Sequence, residues 1–173
     1  MKLALPLAAG LALAGVLGAC AADPSQGYSF ATTHDETVRT VSVPIFANST
    51  FETGVEAELT EAVVKRIQQD TPWRVASDTV ADTELVAEIT DVGLRTLSRT
   101  RGTGLPQEQT YEITVDFTWR DNRAGTVLVE RRRFTAAGAY VPDRLTGERI
   151  DVGRREAVGE LARAIVAELR SDW

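Results

Sequence analysis

Few side chains in this 173-residue chain have chemistry to offer: one thiol, one imidazole and a surplus of guanidinium groups. Cys20 is the only cysteine and His34 the only histidine, so no disulfide closes within the chain and no zinc spacing exists. A lone histidine has no partner to orient it, which removes a nucleophile–histidine triad. Gly102 and Gly104 do not lead into a helix, so they do not read as a phosphate loop. Acidic pairs such as Asp70 with Asp78, or Asp143 with Glu148, are expected by chance among 25 acidic residues. No catalytic or metal-ligating set emerges, and the expectation is a protein that binds rather than one that catalyses. Two basic groups are the binding candidates: Arg95, Arg99 and Arg101, and the run Arg131-Arg132-Arg133. Guanidinium forks suit phosphate and carboxylate. On a regular strand Arg131 and Arg133 project together and Arg132 opposes them. The structural alternative is a solvated strand end facing acidic neighbours.

Cys20 draws its meaning from what precedes it. Met1-Lys2 opens an apolar stretch from Leu3 to Leu17 that ends in Gly18-Ala19-Cys20. A basic start, an apolar middle and small residues before a cut form a secretory signal, too short to span a bilayer that needs about 20 apolar residues. Leu17-Gly18-Ala19-Cys20 resembles the bacterial lipobox, in which the cysteine receives a diacylglyceryl group and becomes the first mature residue. Cys20 is therefore expected to be a lipid anchor, and no cofactor beyond that covalent lipid is expected. Acyl chains contribute about 0.8 kcal/mol per buried CH₂, so two or more anchor stably.

Charge narrows the partners. The net charge is −6, and losing Lys2 with the signal leaves 18 basic against 25 acidic residues. That argues against nucleic acid. Lys65 would be the only lysine beside 17 arginines, a bias that coding composition also produces.

The elements that must carry these groups follow from periodicity. Residues 20–37 read as a tether, small and polar, holding Pro24, Gly27 and the island Gly27-Tyr28-Ser29-Phe30. Val38 to Phe46 reads as a strand with Val41, Val43 and Ile45 on one face, at an edge or unpaired near Pro44. Thr53 and Glu56 form a capping box for a helix to about Gln69, its stripe made of Val55, Leu59, Ala62, Val63, Arg66 and Ile67. Trp73-Arg74-Val75 begins or precedes the next strand. A strand from Leu85 shifts face near Asp91 to Gly93, which predicts a bulge. Arg99 to Gln109 reads as a loop. Tyr111, Ile113, Val115, Phe117 and Trp119 alternate with Glu112, Thr114, Asp116, Thr118 and Arg120, giving one buried and one wet face. Asp121 to Gly125 is a hairpin turn, and its partner strand runs from Thr126 to about Ala136. Tyr140 to Gly147 reads as a loop, and Asp151 as the cap of a helix with a wide stripe from Ala157 to Leu169.

Together these give an α+β fold: a two-layer sandwich with a four-stranded, mostly antiparallel sheet and two helices on one face, in the order β-α-β-β-β-α. Residues 1–19 are assigned to the signal peptide, 20–37 to the lipidated tether and 38–173 to one domain.

The lipobox, the Gly27-Tyr28-Ser29-Phe30 island and the run Val41-Ser42-Val43-Pro44-Ile45-Phe46 followed by Leu59-Thr60-Glu61-Ala62-Val63 resemble the lipopolysaccharide-assembly lipoprotein family, LptE. The resemblance implies an outer-membrane lipoprotein that faces the periplasm and is held to the inner leaflet by its lipid. It implies a β-barrel partner of LptD type, which such a protein plugs and helps to assemble, and lipopolysaccharide as ligand. The polar sheet face suits the polar interior of a barrel. Arg95, Arg99, Arg101, Arg131 and Arg133 are the positions expected to meet lipopolysaccharide. Ala21 after the cysteine, in place of aspartate, favours outer-membrane sorting. The chain departs from the family pattern in that Ala21 to Gln26 separate the anchor from the aromatic island. A second reading stays open, since lipoproteins that activate peptidoglycan synthases or build secretion channels also begin with a Val-Pro-Phe-like strand, an Asn-Ser-Thr loop and a helix.

Overall fold

The computed structural model describes residues 38–99, 101, 102, 104, 106–142 and 150–171. Cys20, the tether and His34 lie outside these residues, as does most of the loop expected from Tyr140 to Gly147. The elements are β1 (Thr40–Ser42), β2 (Ala47–Asn48), α1 (Val55–Asp70), β3 (Arg74–Val75), β4 (Thr83–Arg99), β5 (Pro106–Asp121), β6 (Val127–Tyr140) and α2 (Ile150–Ser171).

The expected four-stranded sheet is corrected to a mixed sheet of six strands in the order β3-β1-β4-β5-β6, with β2 also on β4. β1 lies parallel between β3 and β4, and β2 runs parallel to β4. Only β4, β5 and β6 form the expected antiparallel meander. The single first strand breaks in two because Pro44 has no N–H to give a ladder. Beyond the break the alternation fails. Ile45 is exposed and Phe46 is buried, its N–H donating to Thr60 Oγ1 at 3.1 Å. β1 is not an edge either, since two-residue β3 lies outside it.

Both helices share one apolar cluster with the sheet. Val55, Leu59, Val63 and Ile67 of α1 join Leu161, Ile165 and Leu169 of α2, all fully buried. The β5 alternation is as expected: Tyr111, Ile113, Val115, Phe117 and Trp119 are buried beneath the helices, while Glu112, Thr114, Asp116, Thr118 and Arg120 stay partly or fully exposed. Trp119 packs against Trp73 with ring centroids 5.0 Å apart. Fully burying an aliphatic side chain of this size contributes about 1.5–3 kcal/mol.

Helix starts differ from expectation. Gly54, at φ 90°, is the N-cap of α1, and no side chain caps it. Glu56 does reach back, accepting the Gly54 N–H at 3.0 and 3.1 Å, so half of the expected capping box forms without Thr53. Asp151 is inside the first turn of α2 rather than its cap. That helix settles closely on β6. A Cβ on Gly138 would lie 2.1 Å from the Gly153 carbonyl, and one on Gly153 would lie 2.6 Å from the Tyr140 ring. Two missing side chains let helix and strand touch through their backbones.

One end of the sheet is clasped by Asp82. Its carboxylate accepts the N–H groups of Arg39 and Thr40 at 3.1 and 3.0 Å and pairs with Arg123. Its own N–H donates to Thr40 Oγ1 at 2.9 Å, and its carbonyl accepts the Asn122 N–H at 2.8 Å. Burial pulls this carboxyl upward, yet the bonds from Arg39 and Thr40, with Arg123 beside them, hold it below the usual range. The start of β1, the start of β4 and the β5–β6 turn all meet there.

Candidate functional site: an arginine-bearing tip

The opposite end is bare. β4 and β5 run well past the last residue of β2, which pairs with Ile89. The stretch from Arg99 to Gln109, expected as a loop, turns at Arg101 and Gly102, but its second part is strand, because β5 already begins at Pro106. Sequence periodicity missed it for a physical reason. Gln107 and Glu108 are exposed and Gln109 is only half-buried, so the chain carries no apolar alternation there. β6 likewise runs on to Tyr140 through Ala137, Gly138 and Ala139, whose small side chains hide a strand. The predicted face shift appears as a register slip at Thr90, between Ile89 and Asp91.

This tip holds the first arginine group. Arg95, on the wet face beside Thr110, has its Nε 3.1 Å from Glu112 Oε1 and is 69% exposed. Arg99 donates from Nη1 to the Gly104 carbonyl at 3.1 Å. Arg101 lies exposed in the turn. Exposed apolar side chains share this end of the sheet: Leu94 and Leu97 are half exposed, Val141 follows Tyr140, and Ile150 opens α2 one turn before the Gly153 contact. Phe51 is wholly exposed on the loop between β2 and α1. Both helices point their N-termini towards this end, but Glu56, Glu58 and Asp151 in their first turns offset the dipoles. The cationic character of the tip therefore rests on its arginines. Tyr111, under the helix starts and paired across the ladder with Leu94, is pushed up to about 12 by burial and by Glu52, with Arg154 opposing.

The second group is organised differently, and the expectation that Arg131 and Arg133 project together is corrected. Val115 pairs with Phe134 but Phe117 pairs with Arg131, so Asp116 faces two residues, Arg132 and Arg133. At this bulge Arg133 takes φ 53° and its N–H donates to Asp116 Oδ1 at 2.7 Å. A bulge resets the parity of side chains. Arg131 is turned to the helix side, where its Nε donates to Glu168 Oε2 at 2.8 Å and its Nη2 lies 2.7 Å from the same oxygen. Arg132 pairs with Glu130 at 2.9 Å. The groove of about 400 Å³ beside them is lined by Glu88, Asp116 and Glu130 as well as Arg131 and Arg132. Glu88 stands directly opposite Asp116. Three carboxylates around two arginines that are already paired make poor ground for an anion.

The comparisons with known proteins agree with this architecture. The LptE family, described as lipopolysaccharide-assembly, matches residues 38–169. The chain belongs to the LptE family. The match spans every described strand and all but the last two residues of α2. Solved structures share the fold at low identity. A hypothetical protein of Chlamydia trachomatis aligns with TM-score 0.57 at 12% identity, over 78% of this chain and 97% of that one. A minor lipoprotein of Acinetobacter baumannii aligns with TM-score 0.51 at 17% identity, over 78% and 94%. No curated protein matches the chain.

Proposed function

We propose that this LptE-family protein is an outer-membrane lipoprotein, anchored through Cys20, that seats in a β-barrel of LptD type and handles lipopolysaccharide with its tip. The ligand assignment rests on the presence of Arg95, Arg99 and Arg101 and of exposed Leu94, Leu97, Val141 and Ile150 at the same end of the sheet. Guanidinium groups match phosphates, and apolar side chains match acyl chains. Lipopolysaccharide presents both. The barrel assignment is supported by family membership and by the polar sheet face, since barrel interiors are polar. The role is binding and positioning, with no catalytic step.

Two measurements test it. Purification of the lipidated protein from membranes under mild detergent is expected to bring a large outer-membrane β-barrel with it. Recovery of a peptidoglycan synthase instead would sink the barrel reading. Titration with purified lipopolysaccharide at fixed salt is expected to weaken when Arg95, Arg99 and Arg101 become alanine. Unchanged affinity would remove the tip from the proposal.

A further inference from the structure

Of the three arginines at the tip, Arg95 is the one already held by a carboxylate, with its Nε 3.1 Å from Glu112 Oε1. Arg99 donates to the neutral Gly104 carbonyl, and among the described residues no ion pair includes Arg99 or Arg101. The register explains the pair. Arg95 stands opposite Thr110 and Glu112 opposite Gly93, so the two meet on the diagonal between adjoining strands. Diagonal neighbours lie about 7–8 Å apart, within reach of long side chains. Both partners face water, with 69% of the Arg95 side chain and 26% of the Glu112 side chain exposed.

Glu112 has room to let go. At its own level the flanking residues are Gly93 on β4 and Ala137 on β6. A Cβ at Gly93 would have nothing within 4 Å, and Ala137 is exposed. A hydrogen atom and a methyl group do not wall in a carboxylate, so a change of rotamer takes it away from Arg95. Glu108 provides the contrast. It sits two residues before Thr110, as Glu112 sits two residues after it, and shares the same face of β5. It is exposed opposite Ser98, and among the described residues no ion pair includes it. Two carboxylates therefore flank the Arg95 level on one strand, and only one of them is engaged.

We propose that Glu112 is an internal competitor for the ligand's phosphate at Arg95; this deepens the tip reading above and rests on it. In the free chain its carboxylate occupies the guanidinium. An exposed pair of this kind favours the closed arrangement by about fivefold at most, so a ligand can break it. A phosphate group brings a charge of about −1.5 to −2 and three acceptor oxygens to the same fork. When the phosphate leaves, Glu112 returns, because its tether keeps its local concentration high. The apparent affinity is reduced by the fraction of chains in which Arg95 is vacant. A protein that has to release its ligand is served by a hold of this kind, since the competitor stands ready beside the site.

Titration of the full chain with purified lipopolysaccharide at fixed salt tests this. Glu112→Gln is expected to tighten binding by about 3- to 10-fold, from loss of the competitor and of its repulsion for phosphate. Glu108→Gln removes the same charge from the same strand face and is expected to change binding by less than about twofold. In a chain that also carries Arg95→Ala, Glu112→Gln should do no more than Glu108→Gln, because nothing is left to compete for. Both glutamine changes keep side-chain shape on a wet face, so the unfolding midpoint should stay where it is. If the triple alanine variant of Arg95, Arg99 and Arg101 binds lipopolysaccharide undiminished, the tip reading falls and the competitor with it. If that variant is weakened while Glu112→Gln gains nothing, or no more than Glu108→Gln, the competitor alone is overturned and the tip reading stands. A Glu112→Gln gain that persists without Arg95 would also overturn it, since general repulsion would then account for the effect.

Discussion

Two arginine groups on neighbouring strands of one sheet have different fates. Arg131 is drawn under α2 to Glu168, Arg132 is paired with Glu130, and Arg133 serves a bulge through its backbone. Arg95, Arg99 and Arg101 stand on an arm that the helices leave bare, each largely open to water. Cover by a helix sets Arg131 apart, since it packs against Glu168. Arg132 is as open as Arg95, and what separates them is the company: Glu88, Asp116 and Glu130 surround the one, and Glu112 alone pairs with the other.

The contrast between covered and bare sheet is broken most severely in the core. Ile113→Ala is expected to cost about 2–5 kcal/mol in denaturant unfolding, whereas Leu94→Ala, one strand away at the tip, should cost under about 0.5 kcal/mol. Equal losses would mean that the tip is packed against something within the chain. Next comes the helix seat. Gly138→Ala forces a methyl group into the Gly153 carbonyl and should cost about 1–3 kcal/mol, read from the shift in unfolding midpoint. Retained stability would show that α2 rides more loosely on β6.

The arginine groups themselves should separate by ligand. Replacing Arg95, Arg99 and Arg101 together with alanine is expected to weaken lipopolysaccharide binding by roughly 10- to 100-fold at fixed salt, or about 1.4–2.7 kcal/mol. Replacing Arg132 and Arg133 should change it less than about twofold, since an exposed ion pair contributes at most about 1 kcal/mol. The reverse order would transfer the site to β6. A smaller effect tests the clasp at the far end. Asp82 is held below its ordinary range, so its contribution is present above the unfolded carboxylate value of about 3.9 and is lost as pH falls through the lowered folded value. Asp82→Asn should therefore lower the melting temperature at neutral pH, by about 1–2 kcal/mol of stability, with the gap closing below about pH 4. A gap independent of pH would assign the loss to shape rather than charge.

How much of this was legible depended on whether a residue's neighbours were close in sequence. Tyr111 to Trp119 declared a half-buried strand by simple alternation, and Val55 to Ile67 and Ala157 to Leu169 declared their helices by a stripe. These patterns record one face meeting a core, a condition each segment expresses alone. Short β3 and β2 gave no such sign, since two residues have no period, and their parallel pairing joins chain segments far apart. The tip strands were hidden because both of their faces are largely wet. The bulge at Asp116 depended on the register between β5 and β6, and that register alone turned Arg131 to Glu168.

The amino-acid sequence by itself determined the two helices, the meander with one polar face and the identity of the two arginine groups. Tertiary structure decided the six-stranded mixed sheet, the seating of α2 on Gly138, and which arginines are left to act. Composition and periodicity report what each segment must bury. Only the packed sheet shows where its cover ends and which carboxylates stand beside each guanidinium.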